Sequence, residues 1–126
     1  MEVFLYTTAV ENMARLVKQA LEPAVPEGIL ETYRSASRFA RRLRQPKDDF
    51  TIVVLLLGSP EDFLDVLAIR HLFRGVRTIV VVPDTQDETI AMAHRLRPRY
   101  LTYIDGNFSG LSTVVEKMVE GYSKSA

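Results

Sequence analysis

Few residues in this chain have the type and spacing to do chemistry, and they are scattered. Gly58 and Ser59 end an apolar run and precede Pro60, Glu61 and Asp62. A turn of this kind at a helix start can offer backbone amides to a phosphate. Neither the Walker nor the dinucleotide fingerprint is present, so a tight turn with a serine cap is the plainer reading. Asp84 stands where another apolar run gives way to a helix, placed for a ligand hydrogen bond or, more simply, a helix cap. His71 and His94 fall on different helices without carboxylates at ligand spacing, which leaves a metal ion no ligand set. Arg38, Arg41, Arg42 and Arg44 crowd one helix face, but no aromatics interleave them, and a solvated face is expected ahead of an anion site. Between Phe50 and Pro60 there is no carboxylate, His or Cys. With no activated nucleophile, partnered base or metal cluster, the reading is not an enzyme, and no cofactor is implied.

Composition narrows the class further. At 126 residues the chain suits one domain with a single good core, expected over 1–122 with 123–126 as a loose tail. Sixteen basic residues balance sixteen acidic ones, so no overall field draws it to nucleic acid or an anionic membrane. The absence of cysteine fits a reducing compartment. No apolar run approaches the roughly 18 residues of a membrane span, and the first residues lack a signal-peptide pattern. The expectation is a cytoplasmic domain that contacts neither nucleic acid nor membrane.

The elements that must position these residues alternate strand and helix. Ile52–Leu57 is unbroken and apolar, the mark of a strand buried on both faces; Thr78–Val82 is similar, and Val3–Tyr6 nearly so. Ile29–Tyr33 carries Glu31 and Thr32, and Tyr100–Ile104 carries two Tyr and a Thr, so both read as edges. Helical spacing joins Met13, Leu16, Val17, Ala20 and Leu21, then Ala36, Phe39, Ala40 and Leu43, then Phe63, Val66, Leu67 and Phe73. Ile90, Ala93 and His94 begin a fourth helix, and Leu111, Val114, Val115, Met118, Val119 and Tyr122 mark a fifth. Thr8 with Glu11, and Thr85 with Glu88, read as capping boxes; Ser59 caps the third helix with Pro60 in its first turn, and Asp105-Gly106 makes a turn. Five such units with this burial ranking predict a flavodoxin-like (βα)5 three-layer α/β sandwich, its parallel sheet ordered 2-1-3-4-5.

That element order, the buried third strand ending near a Pro, and the segment PRYLTYID at Pro98–Asp105 resemble the receiver domains of two-component response regulators. The resemblance implies where receiver chemistry would sit. The Mg²⁺-holding acids match Thr7 and Thr8, the phospho-accepting Asp matches Leu56, the switch Ser or Thr matches Pro83 or Asp84, and the Lys matches Tyr103. A hard cation needs oxygen ligands and acyl phosphate needs a carboxylate nucleophile. The resemblance therefore implies a receiver-like fold without receiver phosphorylation.

Two working surfaces are expected. A pocket at the strand ends, made by Thr7, Thr8, Leu56, Gly58, Ser59, Asp84 and Tyr103, would have Tyr103 filling the space of the Lys and phosphate. The second surface is the fourth helix, fifth strand and fifth helix, where receivers commonly pair. There Tyr100 and Tyr122 supply interface aromatics, and Arg95, Arg97 and Arg99 can meet Glu116 and Glu120 across a two-fold. The expected function is a phosphorylation-independent signalling module that binds a protein partner or itself. The alternative is a sensor of a small nucleotide or metabolite at the strand ends.

Overall fold

Strands and helices alternate along the chain in the computed structural model, which describes residues 1–27, 29–103 and 108–125. In order they are β1 (Glu2–Thr7), α1 (Glu11–Leu21), β2 (Leu30–Tyr33), α2 (Ala36–Arg44), β3 (Thr51–Leu56), α3 (Asp62–Ala68), β4 (Arg77–Val82), α4 (Asp87–His94), β5 (Tyr100–Tyr103) and α5 (Ser109–Ser125). Short 3-10 segments follow α1 at Glu22–Ala24 and α3 at Arg70–Phe73. The five strands form one parallel sheet in the order β2-β1-β3-β4-β5, as the burial ranking predicts.

Alternation along the strands builds two cores from one sheet. Val3, Leu5, Ile52, Val54, Leu56, Ile79 and Val81 face one layer, where Val17 and Leu21 of α1 and Leu111 and Val115 of α5 pack. Phe4, Tyr6, Val53, Leu55, Leu57, Val80 and Val82 face the other, against Phe39 and Leu43 of α2, Phe63 and Val66 of α3, and Ala93 of α4. Every residue of β3 is buried, which is why that strand shows no polar alternation in sequence. β2 and β5, at four residues each, are the partly exposed edges.

The helix starts depart from expectation in informative ways. The α2 start has a side-chain cap: Ser35 accepts the Arg38 N–H at 3.4 Å. The T-x-x-E pairs do not form capping boxes: the residues before α1 and α4 are Val10 and Gln86, and neither helix receives a side-chain cap. Thr8 is taken up by a tertiary contact, and Asp84 instead accepts the Gln86 N–H at 3.0 Å, closing a turn ahead of α4. Ser59 and Pro60 lie before α3, not at its cap and first turn. The Asp62 and Phe63 amides donate to the Ser59 and Pro60 carbonyls at 3.2 Å each. The helix expected to run to Phe73 breaks at Ile69, and Gly75, at φ +78°, makes the left-handed turn into β4. α5 continues to Ser125, into the stretch expected to be a loose tail. Ile104 and the Asp105-Gly106 turn lie outside the described residues.

Candidate functional site

The carboxyl ends of β1 and β3 bring together part of the expected pocket. Thr7 and Leu56 are register partners and both are fully buried. The Thr7 hydroxyl accepts the Ala9 N–H at 3.0 Å, while Leu56 belongs to the core beneath α1 and α5. Above them, the Thr8 hydroxyl accepts the Gly58 N–H at 2.9 Å and donates to Asp62 Oδ2 at 2.7 Å. The Ser59 hydroxyl donates to the same oxygen at 3.0 Å. Gly58 is needed for close approach: a Cβ there would lie 3.2 Å from both the Ala9 Cα and the Thr8 carbonyl oxygen.

These groups border a cavity of about 330 Å³ lined by Thr8, Ala9, Val10, Met13, Gly58, Ser59 and Asp62. Asp62 is its one carboxylate. No set of three or more His, Cys, Asp or Glu among the described residues is placed to share a metal ion. Nearby, on the other sheet face, Tyr6 stacks on Phe39 with centroids 5.0 Å apart. Burial, reinforced by the Asp65 and Asp62 carboxylates, pushes its phenol above the ordinary 10.0. The geometry holds one carboxylate in a closed net of hydroxyls and an amide; it supplies no pair of acids and no exposed nucleophile on β3.

The remaining expected pocket residues stand apart. Asp84 is engaged in its own turn. Tyr103 is 53% exposed and does not fill the strand-end space, because it is the last residue of an edge strand with no neighbour on its far side. Two aromatics of the expected interface also have contacts within the chain. Tyr122 packs on Phe50 with ring centroids 4.5 Å apart, so its ring is engaged within the chain. Tyr100 packs on the α1–α5 core, its hydroxyl 3.3 Å from where a Cβ on Gly110 would sit. Arg95, Arg97, Arg99, Glu116 and Glu120 are exposed, and among the described residues no ion pair joins those arginines to those glutamates. The solvated Arg-rich face of α2 needs one correction: Arg42 is largely covered, paired with Glu2 and seated over the Phe4 ring at 4.8 Å.

Sequence reasoning missed Asp62 as a pocket residue. Its signal was present, since Ser59 and Asp62 stand three apart at a helix start. The serine hydroxyl and the carboxylate bond to each other.

Two solved structures are similar to this chain in fold. The phosphorylated cyanobacterial phytochrome response regulator RcpA matches with a TM-score of 0.58 and 17% identity, over 99% of this chain and 96% of its own. The Mn²⁺-bound form of the response regulator Rcp1 matches with a TM-score of 0.60 and 16% identity, over 97% of this chain and 94% of its own. The fold is that of a response-regulator receiver domain. No protein-family model and no curated protein sequence matches the chain. Within the receiver fold, Thr7, Thr8 and Leu56 occupy the carboxyl ends of the first and third strands, with Thr8 and Asp62 joined where the two loops meet.

Proposed function

We propose that this chain is a receiver-like signalling module that acts through protein contact and not by carrying phosphate on an aspartate. The observation that carries the reading is the end of β3: Leu56, the position matching the phospho-acceptor, is an apolar side chain with no solvent exposure. A side chain of that kind can neither attack a phosphoryl group nor ligate a cation. A small-ligand reading of the adjoining cavity has less support, because the Thr8 and Ser59 hydroxyls and the Gly58 amide are already bonded within the pocket.

Contact is assigned to the α4–β5–α5 face, as a homodimer. β5 is a short edge strand ending in the exposed Tyr103, and exposed Arg99, Glu116 and Glu120 offer charges of both signs. An unpaired strand edge with an exposed aromatic is the kind of surface a defined partner covers. Two measurements test the proposal. Intact mass after incubation with acetyl phosphate and Mg²⁺ is expected to be unchanged, and a stoichiometric adduct would overturn phosphate independence. Light scattering at micromolar concentration is expected to give a dimer for the native chain and a monomer for Tyr103→Asp; a monomeric native chain removes the homodimer.

A further inference from the structure

At the opposite end of the sheet, where β4 and β5 begin, positive charge gathers without a counterpart. Arg70, His71 and Arg74 come from the 3-10 segment after α3 and the turn beyond it, and Arg95 and Arg97 come from the end of α4 and the loop to β5. Together they border a cleft of about 480 Å³ whose floor includes Phe73, Val76 and Leu96. No Asp or Glu lines it. Among the described residues, none of these four arginines forms an ion pair. The chain as a whole is neutral, so the concentration is not a by-product of a basic sequence.

Helix dipoles explain only part of this. A cation near the end of α4 complements its negative terminus, which accounts for Arg95. It does not account for Arg70, in a 3-10 segment of four residues too short to carry much dipole, or for Arg74 in the turn just beyond it, both of which line the same cleft. Like charges converging from two elements repel, and an anion between them removes that repulsion. The backbone adds a second sign. Arg97 has φ +52°, in the left-handed region, just after a helix and before Pro98. Glycine adopts that conformation without strain, yet the residue held there at the border of the cleft is an arginine.

We infer that the cleft binds the phosphate groups of a small phosphorylated molecule. The planar guanidinium fork matches phosphate oxygens in pairs, and converging forks suit a group bearing several negative charges better than a lone carboxylate. The cavity volume falls in the roughly 300–1,000 Å³ usual for small-molecule sites. The apolar floor can meet the organic part of a nucleotide, or stay unused if the ligand is an oligophosphate alone. This site lies at the amino ends of the strands, remote from the Thr8–Asp62 cavity, and is argued from neither that cavity nor the proposed dimer, although Arg95 and Arg97 border both the cleft and the α4–β5–α5 face.

Calorimetric titration with tripolyphosphate and with ATP, at about 0.15 M salt so that long-range attraction is screened, tests the inference. Saturable binding is expected for both, weakened about tenfold or more by Arg74→Ala and by Arg97→Gly, as loss of a charge-assisted contact predicts. Arg97→Gly is the decisive variant, because it relieves the positive φ and should keep or raise the Tm while losing affinity. Tighter binding of ATP assigns the floor to a nucleoside; equal binding assigns the site to the phosphates, and either supports the inference. No saturable heat with either ligand, unchanged affinity in both variants, or an oligoglutamate peptide that binds as tightly as the phosphates would overturn it.

Discussion

Arginine is used in two opposed ways at the amino end of this sheet. On the β2–β1–β3 side, Arg42 pairs with Glu2, lies 3.9 Å from Glu31 and donates to the Pro46 carbonyl at 3.3 Å. The Glu2 carboxylate also accepts the Asp48 N–H at 3.0 Å and the Thr51 hydroxyl at 3.3 Å. On the β4–β5 side, Arg70, Arg74, Arg95 and Arg97 stay exposed with no carboxylate in their cleft. A guanidinium that is mostly covered must have its donors met, or its desolvation goes uncompensated. One left in water has no such requirement and is free to meet something from outside. The first corner therefore belongs to stability, and the second contributes little to it.

The comparison can be broken by substitution. Arg42→Ala removes the ion pair, the contact over Phe4 and the packing of its alkyl stem, and should cost about 2 kcal/mol. A shift in the urea midpoint at constant slope would show it; a change under about 0.5 kcal/mol would put Arg42 with its solvated neighbours. A milder effect is expected from Tyr33, whose hydroxyl donates to Glu31 at 2.6 Å in the same corner. Burial and that hydrogen bond push its phenol from 10.0 up to about 12. Because the folded pKa is the higher one, the stabilisation is full below pH 10 and is lost as the pH climbs towards 12. Tyr33→Phe should flatten that part of the alkaline loss, seen as a shallower fall of Tm with pH. The smallest effect is expected at the other corner: Arg70→Ala should change stability by no more than about 0.5 kcal/mol, with a rise where repulsion is relieved. A larger loss would mean that the cleft arginines also hold the fold together.

Much of the fold was legible because burial leaves a direct record in composition. Ile52–Leu57 has no polar residue since both of its faces are covered, and the mixed strands at Leu30 and Tyr100 mark the edges for the same reason. Side-chain partners leave a weaker record. Arg42 shares its helical spacing and residue type with Arg38, and only the tertiary placement of Glu2 and Phe4 separates them. Tyr122 reads in sequence as an interface aromatic, and nothing near it in the chain announces its packing on Phe50. Thr8 fits a local capping box as well as a distant contact, and the distant one prevails, with Gly58 and Asp62 together offering its hydroxyl an amide and a carboxylate. Local motifs hold until a tertiary partner competes for the same atoms.

The uniform parallel pairing of the sheet also governs the order of events as the chain folds. Every strand pair here is parallel, so no two adjoining strands can zip together as a hairpin, and β1 must wait for β3 with β2 and two helices intervening. Loop closure of that length precedes any reward from pairing, which slows the search. Meanwhile Ile52–Leu57 is a six-residue run without charge or proline that can join its own kind in another molecule. The strand that does most to unite the two cores in the finished protein is thus the most hazardous one while it is still bare, and its safety rests on how quickly β1 and β4 flank it.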